Sequence, residues 1–165
     1  MKDLQKALDN VNATYDELVE IAKDIVSRYS SEVDSLIKEV SGSIETLSND
    51  QLRLIVTDLS LKGYSLAEAK EHSLLKSDIS ETLLDEKKAL EFNGADGTVA
   101  VRENLAILNS SEEILVNLIY DTVSSLLKTK LDEVHRIVDT IKTVIMSRNT
   151  EARINASLND ERVGM

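Results

Sequence analysis

The sequence predicts an all-α protein of about one domain's length, and three observations favour this fold class. The 165 residues contain no Pro and only five Gly, so residues that break helices are rare. Apolar residues recur at helical spacing along most of the chain. Three Ser residues are followed three positions later by Glu or Gln, a pair typical of helix starts; they are Ser48, Ser65 and Ser110.

The first predicted helix spans residues 2–40 and carries a heptad pattern. Its apolar positions alternate in steps of three and four; they are Leu4, Leu8, Val11, Tyr15, Leu18, Ala22, Ile25 and Tyr29. The stripe then steps by four to Val33, a stutter that locally unwinds a supercoil. We expect this helix to pack within its own chain or against a partner.

The middle of the chain predicts four shorter helices, over residues 49–62, 66–75, 78–92 and 98–108. A turn at Gly63 between short helices is typical of a helix-turn-helix. Residues 49–84 therefore predict either a DNA-binding motif of that kind or plain helical packing. The run from Asn93 to Gly97 predicts a helix–helix loop and a subdomain boundary.

The C-terminal part predicts an antiparallel helical hairpin, with helices over residues 111–127 and 130–156 and a turn between them. Its apolar stripes are wider than one partner helix covers, so we expect hairpins to pack side by side in a homo-oligomer. The candidate interface residues are Leu115, Leu118, Ile119, Val134, Val138, Ile141 and Ile145. The predicted domains are an N-terminal helical region over 1–93, the oligomerisation hairpin over 98–156, and a flexible tail over 157–165.

Charge and composition restrict the function. Thirty acidic and 19 basic residues give a net charge of −11, and the chain contains no Cys, which excludes disulfide frameworks and zinc–thiolate sites. No apolar run approaches the 18 or so residues of a membrane span, and the acidic start does not resemble a signal peptide, so a cytoplasmic protein is expected. An acidic chain repels nucleic acid, so DNA contact would require a local patch. The candidate DNA-binding residues are Lys62, Lys70, His72, Lys76, Lys87 and Lys88.

No set of residues indicates catalysis, a cofactor or a metal. Neighbouring acids such as Asp85 and Glu86 point about 100° apart on a helix, so they do not form a carboxylate pair. His135 lies near Asp132 and Asp139 at helical spacing, a pattern more typical of a solvated charge cluster than of a metal site. We therefore expect a non-enzymatic protein without catalytic, cofactor-binding or metal-binding residues.

Three segments carry a family resemblance. They are Val101-Arg102-Glu103-Asn104-Leu105, Glu113-Ile114-Leu115-Val116-Asn117-Leu118-Ile119, and Leu131-Asp132-Glu133-Val134 with Ile137-Val138 and Ile141-Lys142. Together, residues 97–154 resemble the central oligomerisation region of small terminase subunits from contractile-tailed bacteriophages. The resemblance implies a ring of subunits packed through helical hairpins, in the cytoplasm of an infected bacterial host. It also implies that an N-terminal helical region binds viral DNA and that the C-terminal tail contacts the large motor subunit.

Two functions are therefore expected from the sequence. The first is a non-enzymatic, oligomeric subunit of a viral DNA-packaging (terminase) complex that binds DNA and regulates the large motor subunit. The alternative is a helical structural or adaptor protein, such as a phage scaffold or inhibitor, that acts through protein partners without binding DNA. Retardation of DNA that is lost as salt rises would separate the two.

Overall fold

The structure, a computed structural model, describes residues 2–163, and it gives the burial of side chains for residues 2–157. Over these residues the chain is helical and contains no strand, which confirms the predicted all-α class. The helices are α1 (Lys2–Val11), α2 (Tyr15–Ser43), α3 (Asn49–Gly94), α4 (Val99–Asn109) and α5 (Ser111–Val163).

The described chain divides into two compact units. Unit 1 comprises the residues up to Tyr29 together with Leu66–Thr129, and unit 2 comprises Ser30–Ser65 together with the residues from Lys130 onward. Helices α2, α3 and α5 each contribute one segment to each unit. The predicted loop between α3 and α4 is present, but it lies inside unit 1, so it does not separate the two units.

The predicted single helix over residues 2–40 is wrong, because α1 ends and α2 begins within it. Asn12 has a φ of 54°, a left-handed conformation that Asn adopts more readily than most residues. The backbone N–H of Thr14 then donates a 2.7 Å hydrogen bond to the carboxylate of Glu17, whose own N–H donates to Thr14 Oγ1 at 3.3 Å. This capping box starts α2, and the regular apolar spacing of the sequence concealed it.

The turn predicted near Gly63 is absent, so residues 49–84 do not form a helix-turn-helix. They belong to α3, a single helix of 46 residues. Gly63 is buried inside this helix, and a Cβ built on it would lie 3.4 Å from Cγ1 of Val134. Within unit 2, Gly63 therefore marks a close approach between α3 and α5 and not a chain reversal.

The predicted C-terminal hairpin is also wrong, because α5 continues without a break from Ser111 to Val163. The segment from Lys128 to Lys130 contains no Gly or Pro, so nothing there stops a helix. Instead, Lys130 Nζ donates to Asp34 Oδ1 at 2.7 Å within unit 2. The predicted tail over 157–165 is helical as far as Val163, and residues 164 and 165 lie outside the described part of the chain.

Each unit has its own apolar core. In unit 1 the core combines residues from α1, α2, α3 and α5; these are Ala7, Leu8, Leu18, Leu84, Ile114 and Leu115. In unit 2 the fully buried side chains include Val33, Val40, Leu52, Leu59, Val134 and Ile141. Unit 1 also contains a polar contact, in which Asn117 Nδ2 donates to Ser77 O and to Ser80 Oγ, both at 3.0 Å.

Candidate interaction surface

Helix α3 carries apolar residues on two faces in unit 1. Its inward face includes Leu66, Ala69 and Leu84, all of which are buried. Its outward face carries large apolar side chains that remain in solvent, and we call these four residues the α3 stripe. They are Leu75, Ile79, Leu83 and Leu90, with exposed fractions of 58%, 52%, 55% and 73%.

The α3 stripe follows one side of the helix, with Glu86 between Leu83 and Leu90. Its first three members follow one another in steps of four residues, and Leu90 lies seven residues after Leu83. At about 100° per residue, all four side chains project within roughly 80° of one another. Burying one such side chain is favourable by about 1.5–3 kcal/mol, and contiguous exposed apolar surface on a soluble protein marks an interaction site.

Helix α5 extends this surface at Val116, which is 44% exposed. Val116 and Leu83 line a groove of about 190 Å³ together with Ser80, Glu112 and Glu113. The groove therefore combines apolar and charged side chains, a combination that protein interfaces also show.

The charge of Glu113 is maintained by an ion pair with Lys87 of α3. Burial is the largest single effect and would raise the pKa of Glu113, but the hydrogen bond from Lys87, a backbone hydrogen bond and the charge of Lys87 together lower that pKa below its ordinary value. The hydrogen bond to Glu113 in turn raises the pKa of Lys87. Both residues are therefore charged at neutral pH beside the groove.

Two further charged residues, Lys76 and Glu86, lie along the α3 stripe. The ammonium of Lys76 lies 5.5 Å from the ring centroid of Tyr120 on α5, a cation–π contact. Both Lys76 and Glu86 are exposed. Among the described residues, neither forms an ion pair within the chain, whereas Lys70 and Lys87 do.

Several of the candidate DNA-binding residues form ion pairs with carboxylates. Lys62 belongs to unit 2, where its ammonium lies 2.6 Å from Glu32 and 3.8 Å from Asp58. Its hydrogen bond to Glu32 raises the pKa of Lys62. Lys70 pairs with Glu71 at 2.8 Å in unit 1. Carboxylates therefore already neutralise lysine charges that would otherwise be available to bind DNA phosphates.

The remaining candidates are distributed around α3. His72 and Lys76 are four residues apart and share the outward face, whereas Lys70 points about 120° away from Lys76. Lys88 is partly buried. The structure thus brings His72 and Lys76 together on the α3 stripe face and separates Lys70 from them.

The candidate oligomer-interface residues lie within the folded chain. Five of the seven are less than 10% exposed, namely Leu115, Val134, Val138, Ile141 and Ile145, and Leu118 and Ile119 are partly buried. Packing within one chain accounts for this apolar pattern, so the pattern no longer argues for contact with a second chain there. Sequence reasoning missed the exposed apolar surface on α3 in unit 1, because the predicted break between residues 75 and 78 divides this surface between two short helices.

The described residues contain neither a metal-binding cluster nor a membrane-spanning helix. Among the residues that the structure describes, no three or more His, Asp or Glu side chains converge to hold a metal ion. Over the same part of the chain, no helix combines the length and the apolar character needed to cross a membrane.

The resemblance to small terminase subunits was drawn from apolar spacing and a few polar residues, and the hairpin that it implies is replaced by the single helix α5. Binding of DNA and of a large motor subunit stays a prediction. In comparisons with known proteins, no family model, no curated protein and no solved structure matches this chain.

Proposed function

We propose that this chain is a non-enzymatic helical adaptor or structural protein that acts through protein contacts. The observation that carries the proposal is the α3 stripe, an exposed apolar surface continuous with Val116 of α5. A protein partner that covers this surface removes several large apolar side chains from water, which is the main favourable term in most protein association.

Electrostatics favour a protein partner over DNA at this surface. The net charge of −11 repels a polyphosphate at long range. Lys87, next to the stripe, is already paired with Glu113. Apolar side chains at the centre with charges around them are the composition of a protein interface, whereas affinity for DNA depends on unpaired Lys and Arg.

Site-specific photocrosslinking in the native cells tests the proposal. A photoreactive benzoylphenylalanine is placed at Leu83 in the stripe or, as a matched control, at Leu54. Leu54 is 71% exposed on the same helix but lies in unit 2, outside the stripe. We expect a defined covalent adduct to protein from position 83 and none from position 54.

Mass spectrometry of the adduct identifies the partner, which is either another copy of this chain or a different protein. Either identity supports contact through the stripe when the adduct forms at position 83 alone. Absence of an adduct at position 83, or equal yields at both positions, contradicts the proposal.

A further inference from the structure

We infer that the occupant of the α3 stripe is a second copy of this chain, packed antiparallel along α3 about a two-fold axis. The inference rests on the proposed function and names the partner. It draws on three features of the stripe: its apolar spacing, the positions of its two charged residues, and the length of helix that it covers.

The apolar spacing fits a two-fold contact centred between Ile79 and Leu83. In a two-fold interface, if residue i of one copy contacts residue j of the other, then j also contacts i. An antiparallel pair of helices with its axis level with position 81 places Ile79 opposite Leu83 of the second copy, and Leu83 opposite Ile79. The same operation brings the two ends of the stripe, Leu75 and Leu90, level with Lys87 and His72 of the second copy.

The charges fit the same register. Lys76 and Glu86 each lie five residues from position 81, on opposite sides of it. The two-fold operation therefore brings Lys76 of each copy level with Glu86 of the other, which gives two opposite-charge contacts. Since neither residue has an ion-pair partner within the described part of its own chain, both are available for this contact.

The length of the stripe sets the strength expected of the dimer. From Leu75 to Leu90, α3 extends about 22 Å at 1.5 Å per residue. Two such surfaces bury less than the roughly 800 Å² per partner of a standard interface. We therefore expect a reversible dimer with a dissociation constant on the order of 10 μM.

Sedimentation equilibrium of the full chain tests the dimer and its register. The wild-type chain should move from monomer to dimer as its concentration rises through the micromolar range. Lys76→Glu and Glu86→Lys each place like charges together twice, so each should weaken the dimer about tenfold or more. The double variant exchanges the two charges and should restore a dissociation constant within about threefold of the wild type.

Control variants separate the stripe from general effects of charge. Lys142→Glu changes the net charge by the same amount as Lys76→Glu, but at an exposed site on α5 in unit 2. It should leave the dimer unchanged. Leu83→Glu should abolish the dimer, whereas Leu54→Glu should not. Circular dichroism establishes that each variant retains its helices.

A wild-type chain that stays monomeric at about 300 μM overturns this inference. A double charge variant whose dimer is no tighter than the dimers of the two single variants also overturns it. Failure here is distinguishable from failure of the proposed function. A monomeric chain that still yields an adduct to a different protein at position 83 keeps the proposed function and loses only the second copy. A monomeric chain without any adduct loses both.

Discussion

The guanidinium of Arg148 donates a 2.6 Å hydrogen bond from Nη1 to the backbone carbonyl of Leu47, 101 residues away in the sequence. Nη2 donates to the carbonyls of Glu45 at 2.8 Å and Ile44 at 3.1 Å. These three carbonyls belong to the connection between α2 and α3, where the end of a helix leaves acceptors without partners. Within unit 2, one cation on α5 therefore satisfies and positions this connection.

Replacement of Arg148 should destabilise unit 2. Arg148→Leu leaves three carbonyls, two of them in partly buried contacts, without their charged donor, and we expect a loss of about 2 kcal/mol in the free energy of unfolding. Arg148→Lys should recover only part of this loss, because an ammonium lacks the planar fork. Urea denaturation measures the change, and Arg136→Leu at an exposed position of the same helix is the control. Equal stabilities of the Arg148→Leu and Arg136→Leu variants would contradict this account.

The helix break at residues 12–14 should depend on the capping box. Thr14→Ala removes the acceptor for the N–H of Glu17, and we expect a loss of about 1 kcal/mol in the free energy of unfolding. Asn12→Val places a β-branched residue at a φ of 54° and should cost at least about as much. Thermal unfolding followed by circular dichroism measures both changes. Unchanged melting temperatures would favour the uninterrupted helix over residues 2–40.

Stability should fall in acid through Glu113. Its pKa is lower in the folded chain than its ordinary value of 4.5, because two hydrogen bonds and the charge of Lys87 together outweigh the effect of burial. The contribution of this carboxylate is therefore complete above about pH 5 and is lost as the pH falls through the folded pKa. Urea denaturation between pH 3 and pH 7 should give a shallower dependence for Glu113→Gln than for the wild type. Glu103→Gln, an exposed control, should keep the wild-type slope.

The helical class and much of the core could be predicted from the sequence, because apolar periodicity and the scarcity of Gly and Pro are local signals. The length of α3 could not be predicted, because a glycine such as Gly63 occurs both in turns and where two helices approach closely. Only the approach of Val134, 71 positions later, distinguishes them. The α3 stripe could not be predicted for a different reason: the sequence predicts separate short helices over 66–75 and 78–92, which place Leu75 and Leu83 on different elements, so their shared face is not apparent.

The chain should not retard DNA at physiological salt. Carboxylates already pair with Lys62, Lys70 and Lys87, and the net charge of −11 opposes approach to phosphate. An electrophoretic mobility assay at about 150 mM salt measures retardation of DNA by the chain. The chain is used at concentrations where the proposed dimer would form. Retardation that Lys70→Glu combined with Lys76→Glu abolishes would instead support the DNA-packaging hypothesis.

Substitution by alanine should change the free energy of unfolding in opposite directions at two glycines. Gly63 lies inside α3, and a Cβ there would make contacts of 3.4 Å with Val134 Cγ1 and 3.9 Å with Leu131 Cδ1. Gly63→Ala should therefore raise the free energy of unfolding by about 0.5–1 kcal/mol through helix propensity. Gly97 has a φ of +114°, and its Cβ would lie 3.2 Å from Val101 Cγ1, so Gly97→Ala should lower that free energy by about 1–3 kcal/mol.

Urea denaturation measures the change in the free energy of unfolding for each of the two alanine variants. A helix-turn-helix with Gly63 in a left-handed turn requires the opposite response at that position, because alanine would then be strained. Destabilisation by Gly63→Ala comparable to that by Gly97→Ala would therefore contradict the continuous helix α3.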